Sequence, residues 1–149
     1  MPGTLRLLQE FSNVRVEVES LTGSGSNNRP KMTLLLNYVN KTDKELVIGL
    51  PGLWADTFLL DSKGNTYRFE HGTGLGGSSP FPGLGGGILL HVPSKDSAAA
   101  SLSFAVPCCP SPEVKKNSPF RFSSQQALVE NDRPRSGLNL SIRDIPLAQ

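Results

Sequence analysis

Residues 31 to 70 hold the pattern that most narrows the fold. An apolar run, KMTLLLNYVN, meets a polar corner at Asn40-Lys41-Thr42-Asp43, a second run, ELVIGL, and then TFLLDSKGNTYRF. The last segment predicts two short strands folded back around Ser62-Lys63-Gly64-Asn65, where Gly64 can take the positive φ of a tight hairpin turn. No long helical periodicity appears anywhere in the chain, and turn residues separate every apolar run.

Alternation extends this reading in both directions. Val14, Val16 and Val18 alternate with Arg15, Glu17 and Glu19, as in a strand with one buried and one wet face. Before it, TLRLLQEF suits either a turn of helix or an edge strand. In the next strand Met32, Leu34, Leu36 and Tyr38 share one face, and Leu35 and Val39 on the other predict that both faces are partly covered. Trp54, Phe58 and Leu60 read as core material. ILLHV at 88–92 and ASLSFAV at 100–106 are separated by a linker short enough for antiparallel neighbours. Phe120 and Phe122 open a later strand, residues 127–129 suit a further short one, and Leu138, Leu140 and Ile142 close the series. These segments predict an all-β, antiparallel β-sandwich of eight or nine strands.

Two stretches depart from that rhythm. Eight of the seventeen residues from His71 to Gly87 are glycine, which predicts a long loop tacked down by Phe81 and Leu84. Residues 107–119 form a proline-rich, polar connection. With both included, 149 residues suit a single domain with one core.

Composition excludes several function classes. A net charge of +2, from 15 Lys and Arg against 13 Asp and Glu, leaves no electrostatic footprint for nucleic acid. No apolar stretch of about eighteen residues is present to span a membrane. The start, MPGTLRLLQEF, has no basic region followed by an apolar one and a cleavage site, so no signal peptide is visible in this chain.

Candidate chemistry is sparse. His71 and His91 lack the close pairing of metal ligands, and no metal or cofactor is expected. Asp61 resembles the start of a calcium loop, but Lys63 stands where an oxygen ligand is required, so it reads as a turn aspartate. The glycines of 72–87 lead into Pro80 and Pro82 rather than a helix, which argues against a phosphate cradle, and Gly-x-Ser-x-Gly is missing. Cys108-Cys109 is a possible redox pair; two reduced thiols in a loop, or a link to another chain, are the alternatives. Of two Asn-x-Ser/Thr triplets, Asn40-Lys41-Thr42 lies in an exposed-looking corner where a glycan could sit, although Asn40 also suits a turn cap; Asn139-Leu140-Ser141 lies in a strand.

From Val14 to about Val106 the order VRVEVESL, NYVNKTDKEL, FLLDSKGNTYRF and LSFAVP resembles the bacterial immunoglobulin-like domains of unknown function found on secreted proteins and lipoproteins. That group is similar in build to mycobacterial secreted immunogenic proteins. The family's usual Pro-Gly-Glu before the late strand is replaced here by VPSKDSAAA, and the resemblance does not extend over the Gly-rich loop or the tail from residue 108. It implies an extracytoplasmic setting, periplasmic or secreted, and a protein or cell-envelope partner. On this reading the chain is a non-enzymatic interaction or accessory module, with Trp54, Phe81 and Leu84 as candidate interaction residues. The alternative is a small-ligand or carbohydrate-binding domain built on Trp54, Tyr67 and Phe81. Oligomeric state is left open by the sequence.

Overall fold

A computed structural model describes residues 7–24, 31–50, 57–73, 88–107, 112, 114–130 and 133–148. These residues form ten strands: β1 (Leu8–Glu10), β2 (Val14–Ser24), β3 (Lys31–Asn40), β4 (Leu46–Leu50), β5 (Thr57–Leu60), β6 (Thr66–Thr73), β7 (Ile88–Val92), β8 (Ser97–Ala105), β9 (Phe120–Glu130) and β10 (Arg133–Ile145). A 3-10 turn, Val114–Lys116, precedes β9. The fold is the expected antiparallel β-sandwich, with ten strands where eight or nine were predicted. Of TLRLLQEF, Leu8–Glu10 forms β1, an edge strand paired with β2.

The ladder order is β1-β2-β3-β8-β6-β5-β9-β4-β7, with β10 on the remaining edge of β9. Residues 121–124 of β9 pair with β5, and residues 127–129 pair with β4. Residues 120–130 are therefore one continuous strand, not two short ones. Strand twist folds the sheet over on itself, so that β3 and β8 face β9 across the core. The rings of Phe104 and Phe122 meet edge to face at 6.1 Å. Phe104 meets Phe69 in the same way at 6.0 Å, and Tyr67 meets Phe120 at 5.5 Å.

The period-two pattern decides what lies inside. Met32, Leu34, Leu36 and Tyr38 of β3 are buried, as are Leu102 and Phe104 of β8 and Leu138, Leu140 and Ile142 of β10. Each such side chain contributes roughly 1.5–3 kcal/mol by leaving water. In β2 the phase changes: a register shift between Val18 and Ser20 inserts Glu19 as a bulge, so Val14 and Val16 point inward before it and Leu21 after it.

The second face of β3 is partly covered, as expected: Lys31, Thr33, Asn37 and Val39 are half-buried, and Leu35, flanked by the small residues Ser20 and Ser101, is the exposed one. Three expectations are corrected. In β5 the buried residues are Thr57 and Leu59, while Phe58 and Leu60 lie on the half-buried face. Register explains this, because Leu59 pairs with Tyr67 and Phe122, both inward-facing. Second, β7 and β8 are not ladder neighbours: β7 pairs with β4, and β8 is flanked by β3 and β6. The turn between them crosses a corner of the sandwich. Finally, the first residues of the Gly-rich segment are strand, since β6 continues to Thr73 against residues 101–103 of β8 after a bulge at Glu70.

Candidate interaction surface

The β5–β6 hairpin turns on Gly64, whose φ is 89°. Asp61 opens that turn as a buried carboxylate. Its Oδ1 accepts the backbone N–H groups of Lys63 and Asn65 at 2.9 and 2.8 Å. Its Oδ2 accepts from Asn65 Nδ2, the Tyr67 hydroxyl and Asn117 Nδ2 at 2.8, 2.9 and 3.0 Å. Ser62 N–H donates to Asn117 O at 2.9 Å. The residue that caps the hairpin therefore also pins the end of the 107–119 connection, where Asn117 follows the 3-10 turn.

Burial pushes the Asp61 carboxyl pKa up, but the hydrogen bonds from Asn65, Asn117 and Tyr67 outweigh it and hold the group below its ordinary value. Tyr67 is driven the opposite way by burial and by the neighbouring carboxylate. With five donors on two oxygens, Asp61 has no lone pair left for a cation.

A second polar chain crosses the core. The Tyr38 hydroxyl donates to Gln126 Oε1 at 2.8 Å, Gln126 Nε2 donates to Ser124 Oγ at 3.1 Å, and Ser124 Oγ lies 2.8 Å from Thr57 Oγ1. It ties β3 to β9 and β9 to β5. Burial raises the Tyr38 pKa, against the Gln126 bond that lowers it, so the hydroxyl stays a donor. Gln126→Leu alone is expected to cost about 2 kcal/mol, because Tyr38 loses its buried acceptor and Ser124 one of its two partners. Combined with Tyr38→Phe, it should cost less than the sum of the two single changes. Urea denaturation of both singles and the double measures the coupling; strict additivity would rule the bond out.

The corner at Asn40 is a cap, and it is not open. Asn40 is 2% exposed; its Nδ2 donates to Lys44 O, Val92 O and Pro93 O, and its Oδ1 accepts from Thr42 N and Oγ1. No glycan can sit on that amide. The side chain instead laces the β3–β4 corner to the β7–β8 turn, where Asn40 N–H also donates to Asp96 O at 2.8 Å. His91, on the exposed side of β7, lies 3.5 Å from Glu45 Oε1, a surface contact of small energetic weight.

A groove of about 160 Å³ opens beside the β2 bulge, between Leu7, Val18 and Leu21 and the Ile145–Ala148 segment. That is well below the roughly 300–1,000 Å³ of sites that enclose a cofactor or sugar. Among the described residues no group of His, Cys, Asp and Glu is placed to hold a metal ion, and no helix is long and apolar enough to cross a membrane.

Of the residues singled out from sequence, Trp54, Phe81, Leu84, Cys108 and Cys109 lie outside the described residues. Tyr67 lies within them and is fully buried, so it cannot line an open aromatic cleft. Sequence reasoning missed Asn117, Gln126 and Gln9, polar residues whose partners stand 56, 88 and about 130 positions away. No local signal marks such pairs.

No family model matches the chain, and no curated protein matches it significantly. Among solved structures, self-complemented MyfA, the major subunit of Myf fimbriae from Yersinia enterocolitica, superimposes over 87% of this chain and 98% of that chain, with a TM-score of 0.45 and 9% identity. A likeness that loose carries no argument about function.

Proposed function

We propose that this chain is a non-catalytic interaction domain, with its contacts carried by the Gly-rich segment at 71–87 and the connection at 107–119 on a rigid sandwich. The observation that supports it is the Asp61 cluster. The carboxylate that would be the natural acid or base in this end of the molecule is saturated by scaffold donors, one of which is Asn117 at the root of the second connection, so Asp61 anchors that root. A loop held at its base by a buried, charge-assisted network can present contacts without ordering the whole connection on binding.

The resemblance over Val14 to Val106 supports an extracytoplasmic setting and a protein or envelope partner, with Trp54, Phe81 and Leu84 as contact residues. The carbohydrate reading is weaker, since Tyr67 is withdrawn into the core. The test is a pull-down from envelope extract with the intact chain and with a variant whose residues 74–86 are replaced by a short Gly-Ser linker. Loss of captured partners is expected. Capture of the same set by both forms would refute the assignment to the Gly-rich segment.

A further inference from the structure

On β6, β5, β9 and β10 the core-facing residues alternate with Arg68, Phe58, Leu60, Arg121 and Arg143, which therefore share the outer face of the layer. Arg68 and Arg143 are exposed, and Phe58, Leu60 and Arg121 are half-buried. Register places them relative to one another. Arg68 stands beside Phe58, and Leu60 beside Arg121. The shift between Ile142 and Ile145 sets Arg143 and Asp144 together against Arg121.

Like charges on facing positions of neighbouring strands repel, and here no carboxylate offsets them. Among the described residues none of the three guanidinium groups is in an ion pair; Glu70 and Asp144, the described carboxylates on the same strands, pair with none of them. By contrast Arg15, Lys41 and Lys95 each have a carboxylate oxygen within 2.9, 2.7 and 3.1 Å. Arg121 Nε is also buried and donates to nothing, an unmet donor of the kind that native proteins rarely leave.

We propose that this face docks an extended acidic segment of another protein, with one carboxylate on Arg68, a second on the Arg121 and Arg143 pair, and an apolar side chain between them over Phe58 and Leu60. Charge complementarity selects an anion. The two apolar side chains between the cations select a peptide over a uniformly polar polyanion, and spacing sets its pattern. Arg68 and Arg121 are separated by two strand spacings of about 4.8 Å and one two-residue step of about 6.8 Å, hence by about 12 Å. Residues i and i+4 of an extended chain lie about 13 Å apart and point the same way, with i+2 midway. The segment therefore reads acid-x-apolar-x-acid. A planar guanidinium takes a carboxylate through two parallel N–H donors, and the unmet Nε of Arg121 is one donor of such a fork. This face lies on the strands themselves, so it binds whether or not residues 71–87 and 107–119 carry contacts of their own.

The test is fluorescence anisotropy of a dye-labelled peptide, Thr-Glu-Thr-Leu-Thr-Glu-Thr, titrated with the purified full chain at low ionic strength. Saturable binding is expected. Arg68→Gln and Arg143→Gln should each weaken it by about fivefold or more, and together they should remove it. Arg121→Gln should weaken it as well; in case that variant does not fold, the two exposed positions carry the test alone. Thr-Thr-Glu-Leu-Glu-Thr-Thr, whose acids turn to the opposite side of the strand from the leucine, should bind about fivefold more weakly than the first peptide. Equal affinity of the native chain and the Arg68→Gln/Arg143→Gln double variant, or equal affinity of the two peptides, would overturn the proposal. So would a sulfated oligosaccharide that binds more tightly than the peptide and loses its affinity in the same variants, which would give the face to a polyanion of another class. None of these outcomes involves residues 74–86, so a failure here leaves the pull-down to decide the loop contacts separately.

Discussion

Asp61→Ala is expected to destabilise the domain by about 3–5 kcal/mol, the largest effect of any single polar substitution in the described structure. The carboxylate accepts from five donors, and of these the Tyr67 hydroxyl and Asn117 Nδ2 make buried bonds. Alanine would leave both donors without their buried partner. Guanidinium denaturation of the native and variant chains measures the loss, and a cost under about 1 kcal/mol would mean the cluster is not structural.

The same residue fixes a pH dependence whose sign follows from its shift. The folded-state pKa of Asp61 lies below the unfolded value, so its contribution is fully present above the ordinary Asp range near 3.8 and is lost as pH falls through the depressed folded value. Acid unfolding of the native chain should therefore steepen below about pH 4. Asp61→Asn, which carries no titrating group, should flatten that limb while lowering stability at neutral pH. An unchanged acid limb would show that other carboxylates govern it.

Leu59→Ala is expected to cost about 3 kcal/mol and Phe58→Ala about 1 kcal/mol or less, although phenylalanine is the larger side chain. Leu59 is fully buried between Tyr67 and Phe122, whereas Phe58 lies on the half-buried face of β5. Reading the strand as TFLL, with Phe58 and Leu60 as core, predicts the reverse order. A one-residue slip exchanges the two faces completely, so thermal or chemical denaturation of the pair reports directly on the register of β5. Equal costs would contradict the pairing of Leu59 with Phe122.

The contrast at β5 shows why some elements were legible and others were not. In residues 31–39 of β3 and 138–143 of β10 every inward position is apolar and most outward positions are polar, so parity could be read directly. In TFLL three consecutive apolar residues satisfy either parity, and only the facing residues of β6 and β9 choose between them. The β2 bulge at Glu19 hid Leu21 for a related reason, because an extra residue reverses the alternation on which the reading depends.

Turns followed the same division. Gly64 and the Asp61 turn were readable because a hairpin needs a positive φ within a few residues of a capping oxygen, and both requirements are local. That Asn117 joins this turn could not be read, since 56 residues of chain intervene.

Side-chain alternation and local turn chemistry determined the all-β class, the faces of the well-patterned strands and the main hairpin. Tertiary structure decided the ladder order, the corner crossing from β7 to β8, the face of β5 and the polar contacts made by Asp61, Gln126 and Gln9. The physical reason is range: steric and solvation preferences act between near neighbours, whereas pairing and buried hydrogen bonds depend on which distant segments the collapsed chain brings together.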